Sequence, residues 1–144
     1  MRYQLSRART LSLLLGLAAL LGLGSLRLAA QAAVTPVVVV QDQAIDDSRV
    51  IVLKVTSATP GWMVIHADAA GRPGPVIGYA AVREGENLNV VVAIDAKKAT
   101  PVLYAMLHVD AGQIGSYEFP GPDVPTMNMG AMVSPAFKAS PQAY

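Results

Sequence analysis

The chain contains no cysteine. That excludes disulfides, thiol nucleophiles, zinc ribbons, iron–sulfur clusters and the thiolate of a blue-copper centre. Histidine occurs only twice, and aromatic residues amount to one Trp, five Tyr and two Phe. Charge is sparse and balanced, eleven Lys and Arg against ten Asp and Glu. A nucleic-acid partner calls for a basic stripe, and the one remaining cluster, Lys97-Lys98, sits in a turn. Also missing are a Gly-x-Ser-x-Gly elbow, a phosphate-binding loop and a dinucleotide fingerprint. Ser48, Ser57, Ser116, Ser134 and Ser140 all fall in turns or beside proline. No catalytic constellation emerges, and no cofactor is expected.

What is present begins with targeting. Arg2, Arg7 and Arg9 precede an apolar run over 11–26 of Leu, Ala and Gly, and Ala30-Gln31-Ala32 offers small residues to a signal peptidase. Charge, apolar run and small-x-small together read as an export signal over 1–32, cleaved before Ala33. The run is short of the roughly 20 residues a membrane span needs, and Arg27 interrupts it. The alternative is an uncleaved anchor extended through 28–34, which would be the chain's sole membrane contact. Loss of Arg2, Arg7, Arg9 and Arg27 leaves seven basic against ten acidic residues, a net charge of −3. The protein is therefore expected in the periplasm, at the cell surface or secreted.

Beyond Pro36, short apolar runs recur at sandwich-like spacing between turn clusters. The spacing predicts strands over 37–43, 49–56, 62–68, 76–83, 88–94, 102–109 and 132–139. Gly78 is expected at a bulge or close approach, and Pro135 at an edge or a break. Gly71-Arg72-Pro73-Gly74-Pro75 is expected to interrupt regular structure. Leu88, Val90, Val92 and Ile94 alternate with polar residues, so one buried face is expected there; Ile51, Leu53 and Val55 should share another, with Leu103 and Leu107 in the core. No 3.6-residue period is sustained after the signal. The fold expected is all-β: an immunoglobulin-like Greek-key sandwich of about seven strands over 33–139, behind an N-terminal signal or anchor helix and before a tail at 140–144.

Three stretches carry a resemblance: Gly61-Trp62-Met63-Val64-Ile65-His66-Ala67-Asp68, Gly74-Pro75-Val76-Ile77-Gly78, and Leu103-Tyr104-Ala105-Met106-Leu107-His108-Val109-Asp110 running on to Gly115-Ser116-Tyr117-Glu118-Phe119-Pro120-Gly121. In this order they resemble an uncharacterised domain family of exported and cell-surface proteins of archaea and bacteria. The resemblance implies a β-sandwich outside the cytoplasm and no established activity. Some relatives have a loop suggestive of calcium after the second His-x-Asp. Here only Asp110 and Gly115 fit that pattern.

Each histidine stands in His-x-Asp, His66 with Asp68 and His108 with Asp110. Residues two apart share a strand face, so each imidazole could be oriented by its carboxylate as a metal ligand or a base. The bland reading is a strand-end histidine bonded to Asp or backbone, and neighbouring antiparallel strands would offset the pair by about 10 Å. Met127, Met129 and Met106 add thioethers, so the candidate ligand set is His66, His108, Met106, Met127 and Met129, with copper as the ion. Trp62, His66, Tyr104, Met106 and His108 could instead form a partner surface. The leading reading is a non-catalytic exported module that binds a protein or cell-envelope component; the alternative is an extracytoplasmic copper protein.

Overall fold

Two kinds of strand follow from the patterning. The unbroken apolar run after Gly61 forms a central strand covered on both faces, whereas alternating segments form a sheet with one face in solvent. The computed structural model describes residues 32–141; the expected signal or anchor helix over 1–32 lies outside that range except for Ala32. The strands are β1 (Val37–Val39), β2 (Gln43–Ile45), β3 (Arg49–Ser57), β4 (Gly61–Asp68), β5 (Pro73–Val82), β6 (Gly85–Ala93), β7 (Val102–Val109), β8 (Met127–Asn128), β9 (Ala131–Met132) and β10 (Ala136–Pro141). Only a 3₁₀ turn, Ala96–Lys98, interrupts this all-β order among the described residues. No described helix is long and apolar enough to cross a membrane.

One sheet has the order β1-β3-β6 and another β2-β10-β7-β4-β5; β8 and β9 form a separate hairpin. Pairing is antiparallel except between β2 and β10. Val50, Val52, Val55 and Val92 of the first sheet share a core with Met63, Ile65, Leu103, Leu107 and Phe137 of the second. Gly78 joins the sheets by bridging to Ile94. A Cβ there would collide with the Ala93 carbonyl, which explains glycine at this close approach.

Several expected boundaries change. The run at 37–43 divides, with β1 pairing to β3 and β2 to β10. Asp42 at the crossover accepts the Lys138 N–H at 2.8 Å, and Gln43 clips the Ile51 N–H at 2.8 Å. β5 starts inside the proline cluster because it is a sheet edge, where a missing N–H breaks no ladder. The run at 132–139 breaks at Pro135 into β9 and β10. The expected tail at 140 is instead strand: Ser140 pairs with Ala44.

The inward face of β3 and β6 also differs from expectation. Val50, Val52 and Val55 are fully buried, whereas Ile51 and Leu88 are 43% and 62% exposed. The ladder keeps its register on both sides of Leu53, yet both strands change phase there. Asn89, with φ of 50°, supplies the left-handed backbone at that reversal. Outside the sheet this leaves Val37, Val39, Ile51, Leu88 and Val91 in solvent.

Candidate functional site

The other face of β4 and β7 holds the distinctive residues. Opposite positions are Trp62 and His108, Val64 and Met106, His66 and Tyr104. Alternation puts all six on one face. That face is closed by the chain's own segment 110–133, which returns over it between β7 and β10. Backbone bonds from Thr126 N–H to the Leu107 carbonyl (2.8 Å) and from Leu107 N–H to the Val133 carbonyl (3.0 Å) seat the segment along β7. Tyr117 packs 5.6 Å from Trp62 and 4.2 Å from Tyr79, and Phe119 lies edge-on to His108 at 4.8 Å.

The expected partner surface is therefore corrected. Trp62, His66, Met106 and His108 are buried and Tyr104 is half-buried. Periodicity identified which residues share a face within each strand; the pairing of β4 with β7 makes the two faces one, and the long-range return of 110–133 decides that it is covered.

Asp123 anchors that cover, and the sequence reading missed it. Its carboxylate is fully buried and accepts the Ala111 N–H at 2.8 Å and the Glu118 N–H at 2.7 Å. Its carbonyl accepts from His108 Nδ1 at 2.7 Å. Gly121-Pro122-Asp123 is a turn signature that could have drawn attention to it. Tyr117 and Phe119, two apart in the sequence, also pack on this face, which alternation within β4 and β7 does not indicate.

The His-x-Asp pairs do not form. Asp68 accepts the Tyr104 hydroxyl at 2.9 Å, and Asp110 closes its own loop through the Gly115 N–H at 2.9 Å. His66 Nδ1 instead donates to the Gly74 carbonyl at 2.7 Å. The two imidazoles are offset by four positions in the ladder, as their places in the strands require. Their ring centres are nevertheless only 5.7 Å apart, so the side chains lean toward each other along the strands. The expected separation of about 10 Å counted backbone alone. Met106 joins them on the buried face, whereas Met127 and Met129 are 54% and 100% exposed and do not.

A family model described as a domain of unknown function, DUF7282, matches residues 36–140, which takes in nearly all the strands described above. The chain belongs to the DUF7282 family. No curated protein and no solved structure matches it.

Burial dominates the ionisation of this DUF7282 domain's covered face. It lowers both histidine pKa values below 6.5, against the opposing pull of the carbonyl bonds. It also pushes the Tyr117 hydroxyl up to about 12, helped by Asp123 and Tyr79. The sign of the pH effect follows. Below 6.5 the unfolded chain gains protons that the folded imidazoles refuse, so stability is full above pH 6.5 and falls as pH drops toward the folded values. Urea midpoints at pH 8 and pH 5.5 should show the loss, which His66→Gln should reduce. A flat profile across that window would contradict neutral burial.

Proposed function

We propose that this chain is a non-catalytic module that works outside the cytoplasm and docks on a protein of the cell envelope through the free face of its three-stranded sheet. The observation that carries this reading is the cluster of Val39, Ile51, Leu88 and Val91 on that face, each at least 42% exposed. Ile51 stands directly opposite Val91, and Lys54 lies between Val39 and Leu88 in the ladder. Apolar side chains gathered on one exposed sheet face mark an interaction site more than a scattered few would. The Lys54–Glu86 ion pair at 2.6 Å gives this apolar patch a polar neighbour.

The histidines favour a non-catalytic role. Neither is oriented by a carboxylate, and His108 has no exposed surface through which to touch a substrate. The strand orders β1-β3-β6 and β2-β10-β7-β4-β5, with the first run crossing between sheets, support an immunoglobulin-like Greek-key reading. The export signal supports action outside the cytoplasm.

Fractionation of cells producing the full chain tests the proposal. The mature protein should start at Ala33 and remain with the envelope. Ile51→Lys combined with Val91→Lys should release it while changing stability by only about 1 kcal/mol, since both sites are in solvent. Met129→Lys, on the exposed turn of the β8–β9 hairpin, should not release it. Unchanged retention of the double variant would refute the docking face, and a chain retaining Met1 would assign membrane association to the N-terminal segment.

A further inference from the structure

Two imidazole nitrogens on the covered face have no part in folding or docking. Nε2 of His66 and Nε2 of His108 are buried and find no hydrogen-bond partner among the described residues. In each ring Nδ1 lies 2.7 Å from a backbone carbonyl oxygen. A carbonyl has no proton to give, so Nδ1 must carry the hydrogen, and a neutral ring then presents a bare lone pair at Nε2. An Nδ1–H held by a carbonyl is also how proteins fix the tautomer and aim of a metal-binding imidazole.

The spacing suits one shared ion. The ring centres are 5.7 Å apart and their planes inclined by 23°. Metal–nitrogen bonds of about 2.0–2.1 Å, with roughly 1.1 Å more to each ring centre, place two imidazoles on one trigonal or tetrahedral ion at about 5–6 Å. Met106 is 3% exposed and sits on the same face, two residues before His108 and opposite Val64, itself two residues before His66. A cleft of ≈ 420 Å³ reaches His66 and Met106 between Phe119, Pro125 and Met132.

The donor chemistry selects the ion. No group of three or more His, Cys, Asp and Glu capable of holding a metal occurs among the described residues. Asp68 and Asp110 are engaged by Tyr104 and Gly115, and Asp123 by Ala111 and Glu118. Zinc characteristically takes at least three protein ligands from that set, and a divalent ion would keep its charge uncompensated in apolar surroundings. Two neutral nitrogens and a thioether favour a soft monovalent ion. We infer that His66 Nε2, His108 Nε2 and the Met106 sulfur bind one copper(I) ion, with Met132 at the mouth of the cleft. This site lies on the other sheet from the docking face and stands or falls independently of it.

The test is anaerobic titration of the full chain with copper(I) against bicinchoninate, followed by desalting. One equivalent should be retained, and zinc(II) should not be. His66→Ala or His108→Ala should abolish retention, and Met106→Leu should weaken affinity at least tenfold. Met127→Leu with Met129→Leu should change nothing. Circular dichroism reports whether each variant folds; Met106→Leu conserves core volume and so decides the matter if a histidine variant does not. Imidazole ¹⁵N NMR of the wild type should show copper(I) shifting Nε2 in both rings. No retained copper, equal affinity in Met106→Leu, loss only in the Met127/Met129 variant, unshifted Nε2 signals, or equally tight zinc would each overturn the assignment.

Discussion

Asp123→Ala should lower unfolding free energy by about 2–5 kcal/mol, the largest loss expected from any single carboxylate in the domain. The fully buried side chain accepts two backbone N–H groups, from Ala111 and Glu118, on opposite arms of the loop it closes. Taking a carboxylate out of water is costly, so its removal returns some free energy. Truncation, however, leaves both donors without an acceptor and opens a void beneath the loop, and those losses dominate. The melting temperature should fall by on the order of 10–20 °C. Asp123→Asn, which keeps one acceptor oxygen, should lie between wild type and Asp123→Ala. Asp110→Ala removes an exposed loop closure and should cost about 1 kcal/mol or less. Urea titration of the three variants measures the order; an Asp123→Ala protein within 1 kcal/mol of wild type would show that the aromatic contacts alone hold the cover.

The same deletion at two isoleucines should differ severalfold. Ile65→Ala should cost about 2–5 kcal/mol, because Ile65 has no exposed surface and lies between the sheets. Ile51→Ala should cost about 1 kcal/mol or less, reflecting strand preference on a surface that is 43% exposed. Close packing explains the contrast: around Ile65 the neighbours cannot collapse fully into the lost volume, whereas water fills it at Ile51. Equal losses at the two sites, read from chemical denaturation, would mean that the phase reversal beside Asn89 is misplaced.

That reversal shows where patterning stops informing. Alternation identified β6 and placed Val90 and Val92 toward the core, but it extended the same phase to Leu88. A period of two says which residues share a face only while the backbone stays regular, and the left-handed Asn89 ends that regularity. Pro73 misled for a related reason: proline excludes a residue from a ladder only if the ladder needs its N–H, and at the edge of β5 it does not. Residue type alone groups Met129 with the histidines, yet the turn at Asn128–Gly130 holds it fully in solvent.

From the sequence alone came the all-β class, most of the strands, and which residues share a face within one strand, Trp62 with His66 on β4 and Met106 with His108 on β7. Each is a local property, alternation or turn chemistry. The tertiary structure alone decided that 110–133 covers that face, that Asp123 fastens it, and that two histidines four ladder positions apart bring their rings to 5.7 Å. Those depend on where a long connection returns and which way side chains lean. Burial and packing between distant segments set both, and no local period encodes them.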